Sequence, residues 1–163
     1  MDNLPIIMLV EDEPEIVTII KRLFNRTLGQ TEKSPQFQYL EYSKGQEAIV
    51  AIRGDTQKLI VAVISDNTLL DGFKGLEVID AAVQAGIPYV ASLSSYNADG
   101  LIETCKNPEI ASRSVAENNG ATIAIGREVT CNLKPPTADQ IAAIVQAIKP
   151  HLEAYYFNGL EHS

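Results

Sequence analysis

The stretch Pro5–Ile20, PIIMLVEDEPEIVTII, decides the fold. Six apolar or near-apolar residues run straight into Glu11, Asp12 and Glu13, and a second apolar pattern then begins. Ile6 to Val10 reads as a buried strand. Ile16, Ile19, Ile20, Leu23 and Phe24 recur at the spacing of a 3.6-residue period, which predicts a helix with one apolar face. Pro14 suits the first turn of that helix, where a missing N–H costs nothing, and Gly29 suits its end. Three like charges between a buried strand and a helix need a reason.

The same alternation continues outward. FQYLEY, residues 37–42, alternates as a half-buried strand does. Gln46 to Arg53 reads as a short helix. LIVAVIS, Leu59 to Ser65, is a continuous run rich in β-branched residues, the mark of a strand buried on both faces. Gly75 to Gly86 reads as a helix closed by glycine, and Ile87 to Leu93 as the next strand. Between Asn97 and Gly120 the pattern is less regular: Pro108 divides two helical pieces, with Asn107 as N-cap of the second. GATIAIGREVTCNL, residues 120–133, has strand character that fits one strand or a hairpin. TADQIAAIVQAI opens a helix with a capping box of Thr137 and Gln140. Pro150 is expected to kink or end it, with residues 151–163 a helical extension or tail beyond a domain of residues 1–150. Strand–helix alternation predicts an α/β fold with a parallel sheet, helices on both faces and right-handed crossovers. In such sheets ligands lie beyond the carboxyl ends of the strands.

Composition narrows the function. With 163 residues, 45% hydrophobic and 21% charged, the chain fits one globular domain. A net charge of -8 argues against nucleic-acid binding, which needs a basic surface. No stretch has the length and apolarity to cross a membrane, and no secretory signal opens the chain, so the expected location is cytoplasmic. Cys105 and Cys131 form no CxxC pattern, and His151 and His162 have no metal-ligand spacing, which argues against zinc and Cys-His catalysis.

Four polar signals fall at one predicted sheet edge. Asp12 follows the first strand, Asp66 the third, Ser94 and Ser95 the fourth, and Lys134 the last. Each has a bland explanation. Asp12 could cap the first helix in an acidic capping box, DEPE. Asp66 could cap a turn before Gly72. Ser94 could be a loop hydroxyl and Lys134 a solvated charge. Their coincidence favours a shared site. Two carboxylates ~5 Å apart repel by roughly 3 kcal/mol at an effective dielectric of about 20. A hard divalent cation such as Mg²⁺ offsets this, with oxygen ligands from carboxylates, phosphate and water. A lysine, a hydroxyl and a metal around one carboxylate make a phosphoryl-binding site with the carboxylate as nucleophile.

At this point the chain resembles the receiver domains of two-component response regulators. The resemblance rests on IMLVEDEPEI, VAVISDN, GLEVI, IPYVASLSSY and NLKPP, in that order, from about residue 5 to residue 148. It implies a flavodoxin-like five-stranded parallel sheet of order 2-1-3-4-5. It implies that Asp66 is the phosphoacceptor, and that Asp12, Asp66 and the backbone carbonyl of Thr68 bind Mg²⁺, with Glu11 acting through water. Lys134 is implied to contact the phosphoryl group and Ser94 to turn toward it, although Ser92 and Ser95 compete for that position. The implied partners are a histidine kinase or phosphotransfer protein and an unknown output protein, with the chain itself a monomer or weak dimer.

The chain also departs from the pattern. Cys131 stands where an aromatic is usual three residues before Lys134, and Leu70 stands where proline is common. Extra length falls around Leu28 to Gln36, between Asn97 and Thr130, and after Pro150. The expectation is a stand-alone signalling switch that catalyses only its own phosphorylation and dephosphorylation. The competing readings are a phospho-independent adaptor and, ranked last, a phosphatase with an Asp nucleophile, because such enzymes need a second Asp where this chain has Thr68.

Overall fold

The computed structural model describes residues 3–31, 33, 35–66, 69, 72, 75–94, 115–118, 121–124, 128–133 and 138–161. The first six elements alternate: β1 (Ile6–Val10), α1 (Pro14–Leu28), β2 (Gln38–Tyr42), α2 (Gly45–Arg53), β3 (Ile60–Asp66) and α3 (Gly75–Gln84). Then come β4 (Tyr89–Ser94), β5 (Val115–Asn118), β6 (Ala121–Ala124), β7 (Glu128–Leu133) and the fourth described helix, α4 (Ala138–Glu161).

The first four strands are all parallel and lie in the order β2-β1-β3-β4. Crossover helices explain the parallel pairing, because each returns the chain to the edge where it started. Past β4 the sheet is wider than the five strands expected. β7 runs parallel to β4, and β6 and β5 follow as antiparallel neighbours. Within the ambiguous stretch 120–133, Ala121–Ala124 and Glu128–Leu133 are therefore two antiparallel strands, with Thr122 opposite Cys131 and Ile123 opposite Thr130. Val115–Asn118 is a strand where a helical piece was expected, held by its pairing to β6. Pro108 and Asn107 lie outside the described residues, as does Thr137.

Helices cover both faces. Ile16, Ile20 and Phe24 of α1 join Ile141, Ile144, Val145 and Ile148 of α4 over Ile7, Leu9 and Ile64. Ala48, Ile49 and Ile52 of α2 join Val78, Ile79 and Ala82 of α3 over Met8, Val10 and Val63. Alternate residues of β1 thus feed opposite layers, as a strand buried on both faces requires. Burying each such side chain contributes about 1.5–3 kcal/mol.

The ends of α1 follow the sequence. Pro14 sits in the first turn, and Gly29 closes the helix in a left-handed conformation, φ 67°, with its N–H donating to the Asn25 carbonyl. Pro150 does not end the helix. It lies inside α4, which runs on to Glu161. Proline removes one hydrogen bond, to the Gln146 carbonyl. Burial of Ile148 and Leu152 on either side offsets that loss. Past Pro150 the helix is tied back to the rest of the chain: the Tyr155 hydroxyl donates to the Asn3 carbonyl, and the Tyr156 hydroxyl to the Gln36 carbonyl.

Phe24→Ala should cost about 3–5 kcal/mol in urea unfolding, because the ring is fully buried between α1 and the sheet. Pro150→Ala should raise stability by about 1–3 kcal/mol in the same assay, by restoring the missing hydrogen bond at an exposed position.

Candidate functional site

The site is set by one register. Val10 of β1 lies beside Ser65 of β3, so the next residues, Glu11 and Asp66, become lateral neighbours at the carboxyl edge of the sheet. Neighbouring strands are about 4.8 Å apart, which fixes the scale of the separation. Glu11 and Asp66 are each 6% exposed, and Asp12 is half-buried beside them. One carboxylate oxygen from each of Glu11, Asp12 and Asp66 lies within 4.8 Å of the other two.

Local geometry holds these groups. The Glu11 N–H donates to the Tyr42 carbonyl at 2.9 Å, which extends the β1–β2 pairing by one residue. Glu11 Oε1 accepts from the Glu13 N–H at 3.1 Å, so the turn into α1 bends around the Glu11 carboxylate. The N-cap of α1 is Glu13, with no side-chain cap. The helix-capping explanation for Asp12 therefore fails, and its carboxylate belongs to the cluster. On β3, the Ser65 hydroxyl is fully buried and donates to the Asp66 carbonyl at 2.9 Å. Gly72 closes a turn by a backbone bond to the Leu69 carbonyl, 3.1 Å, with φ 81°.

Three carboxylates this close repel: a pair at 4.8 Å costs roughly 3 kcal/mol at an effective dielectric of about 20. Burial adds several kcal/mol of desolvation for each ionised group. The donor set is all oxygen, with no thiolate or imidazole, and suits a hard divalent cation rather than zinc or copper. Glu11, Asp12 and Asp66 could therefore hold such an ion.

The structure brings these three expected residues together. Ser94 is the last residue of β4, next to Leu133 at the end of β7. The side chains of Ser92 and Ser94 lie outside the described residues, as do Thr68, Ser95 and Lys134. Sequence reasoning did not single out Ser65 or the Glu13 amide. Ser65 carries a usable signal: a hydroxyl inside a strand buried on both faces must find a partner.

With this geometry in view, comparison with known proteins is informative. No protein-family model matches the chain, and no curated protein matches it significantly. Solved structures do. A response regulator receiver domain protein, CheY-like, from Methanospirillum hungatei superposes with a TM-score of 0.60 at 14% identity, covering 93% of this chain and 98% of that one. The signal receiver domain of a LuxO repressor protein from Vibrio parahaemolyticus gives 0.57 at 20% identity, covering 98% of each chain. The receiver domain of PhyR from Erythrobacter litoralis gives 0.56 at 19% identity, covering 90% and 92%. The chain has the receiver-domain fold, a flavodoxin-like arrangement of helices around a parallel 2-1-3-4 sheet.

Mg²⁺ at 100 times its dissociation constant should stabilise the protein by about 2.7 kcal/mol, measured by urea unfolding against an EDTA control. Asp12→Asn should lose most of that gain, and without metal it should be at least as stable as the parent because one repulsive charge is gone.

Proposed function

We propose that the chain is a phosphorylatable switch that accepts a phosphoryl group on Asp66 from a histidine kinase or a phosphotransfer protein. The observation that supports this reading most is the convergence of Glu11, Asp12 and Asp66 at the carboxyl edge of a receiver-type sheet. In this reading β7 holds the fifth position of the 2-1-3-4-5 order, and the β5–β6 strands are an addition beyond it.

Each residue then has a role. A carboxylate oxygen of Asp66 attacks the phosphorus of a phosphohistidine in line with the P–N bond. That bond breaks, the electron pair returns to the imidazole nitrogen, and an acyl phosphate remains on Asp66. Asp12, Asp66 and the Thr68 carbonyl would hold Mg²⁺, with Glu11 acting through water; bound there, the ion supplies positive charge for the phosphoryl oxygens. Lys134 pairs with one of those oxygens. Ser94 turns toward another and carries the change to an output protein, so that a loop is biased between two arrangements. Water then hydrolyses the acyl phosphate and resets the switch.

Incubation with Mg²⁺ and an acyl phosphate should add one phosphate-sized mass to the intact protein. Asp66→Asn should abolish the gain, and Lys134→Ala should slow it by about 100-fold or more. A parent protein that gains no mass under these conditions would favour a phospho-independent adaptor. Rapid multiple turnover of an unrelated phosphate ester would favour an enzyme.

A further inference from the structure

A second cavity lies at the opposite edge of the sheet. Its volume is about 260 Å³. Ile60 and Val61 open β3 on one side of it, and Ile87 and Pro88 lead into β4 on another. Ile52 closes the α2 side, and His151, Ala154 and Tyr155 come from the part of α4 beyond Pro150. Six residue steps of β3 separate Ile60 from Asp66, about 20 Å at the usual rise per residue, so this cavity shares nothing with the acidic cluster.

Lys58 marks the cavity as more than a packing gap. It is the one described non-glycine residue with positive φ, 57°. A lysine in the left-handed region costs free energy that a glycine or asparagine there largely avoids. The loop enforces the conformation. Both carboxylate oxygens of Asp55 are engaged, Oδ1 by the Leu59 N–H and Oδ2 by the Ile60 N–H, each at 2.9 Å. The Lys58 N–H donates back to the Asp55 carbonyl at 3.3 Å. This backbone carries the Lys58 ammonium across the cavity to the Ala85 carbonyl, 3.2 Å away. That bond uses one of three N–H donors, and among the described residues no carboxylate lies within ion-pair distance of the ammonium.

The walls define the chemistry. Ile52, Ile60, Val61 and Ile87 are all buried and make an apolar floor. Lys58, His151 and Tyr155 bring polar groups to the wall; the Tyr155 hydroxyl already donates to the Asn3 carbonyl, and the acid there, Asp55, serves two backbone amides. Burial, then the Asp55 charge, pushes the Tyr155 phenol above its usual range, so it stays neutral. An apolar floor with a few convergent polar groups is the usual form of a small-ligand site, and this volume is at the small end of such sites.

We infer that the cavity between Lys58, Ile87 and the α4 extension binds a small apolar carboxylate, its charge on the Lys58 ammonium and its body on the isoleucine floor. The site is separate from the proposed phosphoacceptor and does not depend on it.

Benzoate is a suitable probe, titrated into the full chain and followed by imidazole and backbone NMR. The chain has two histidines, so the His151 signal can be tracked against that of His162 as an internal control. Benzoate should shift His151 and the amides of Lys58 and Ile87 saturably, in the millimolar range or tighter. Benzylamine, which loses the charge contact, and inorganic phosphate, which loses the apolar one, should each bind at least ~10-fold more weakly, a loss of about 1.4 kcal/mol. Lys58→Asn keeps the left-handed backbone without strain and removes the charge; it should match or exceed the parent's Tm yet lose benzoate. Lys58→Arg should retain binding, and Asp66→Asn should leave it unchanged. The proposal is overturned if benzoate produces no saturable shift, if Lys58→Asn binds it as tightly as the parent, or if phosphate or benzylamine binds equally well.

Discussion

The structure depends on how β1 and β3 are registered. Ile6 pairs with Ile60, but Ile7 pairs with Ala62, so β3 carries one extra residue, Val61, at an irregularity near its start. The consequence is visible in the core. Val61 and Ala62, consecutive in sequence, both belong to the layer under α1 and α4, whereas Ile60 and Val63 face α2 and α3. A regular strand cannot send two successive side chains to one face; a bulge can. The extra residue resets the alternation and brings Ser65 level with Val10. Without it, Val10 would pair with Ile64, Glu11 would sit beside Ser65, and Asp66 would lie two residues beyond the last β1 partner instead of one.

The apolar layers make this register stable enough to hold an unfavourable edge. β3 is buried along its whole length, and slipping it by one residue would send each side chain into the layer opposite its own and break the packing of both. That packing opposes the repulsion among the three carboxylates and holds them together. Strain of this kind is tolerated at sites that bind ions or reacting groups, because stability elsewhere over-determines the local geometry. The same logic applies at the other edge, where the Asp55 carboxylate holds Lys58 in a backbone conformation that lysine disfavours.

Much of this was legible in the sequence, for physical reasons that differ by element. The β-branched run of β3, the 3.6-residue period of α1 and the glycine at its end each encode local structure strongly. Asp12 and Asp66 were legible as a pair because both end strands of one predicted sheet. β5 was not legible: it is four residues long and is held by its pairing with β6 rather than by local pattern, whereas residues 120–133 were legible as strand but not as one strand or two. Whether α4 would end or continue at Pro150 was left open by local pattern, because the rule against proline is outweighed there by burial of Ile148 and Leu152. Lys58 was invisible because positive φ in a lysine has no compositional signature; Asp55, three residues earlier, is the only local hint.

The two polar edges sit at opposite ends of β3, and physical chemistry limits how they could communicate. Coupling between sites needs an element with two arrangements whose balance both sites bias. β3 does not qualify, since it is packed on both faces and a one-residue slip would break the packing of both layers. α4 is a better conductor. It begins five residues after Leu133 at the acidic edge, packs on α1, β3 and β4, and ends along the Lys58 cavity. Pro150 divides it into a half anchored by Ile141, Ile144, Val145 and Ile148 and a half held by Leu152 and by the Tyr155 and Tyr156 hydroxyls. The missing hydrogen bond at that proline makes the junction the softest point of the helix. A ligand against His151 and Tyr155 would act on the half beyond Pro150, and along α4 any influence on the acidic edge would pass through the turn that lacks the proline hydrogen bond.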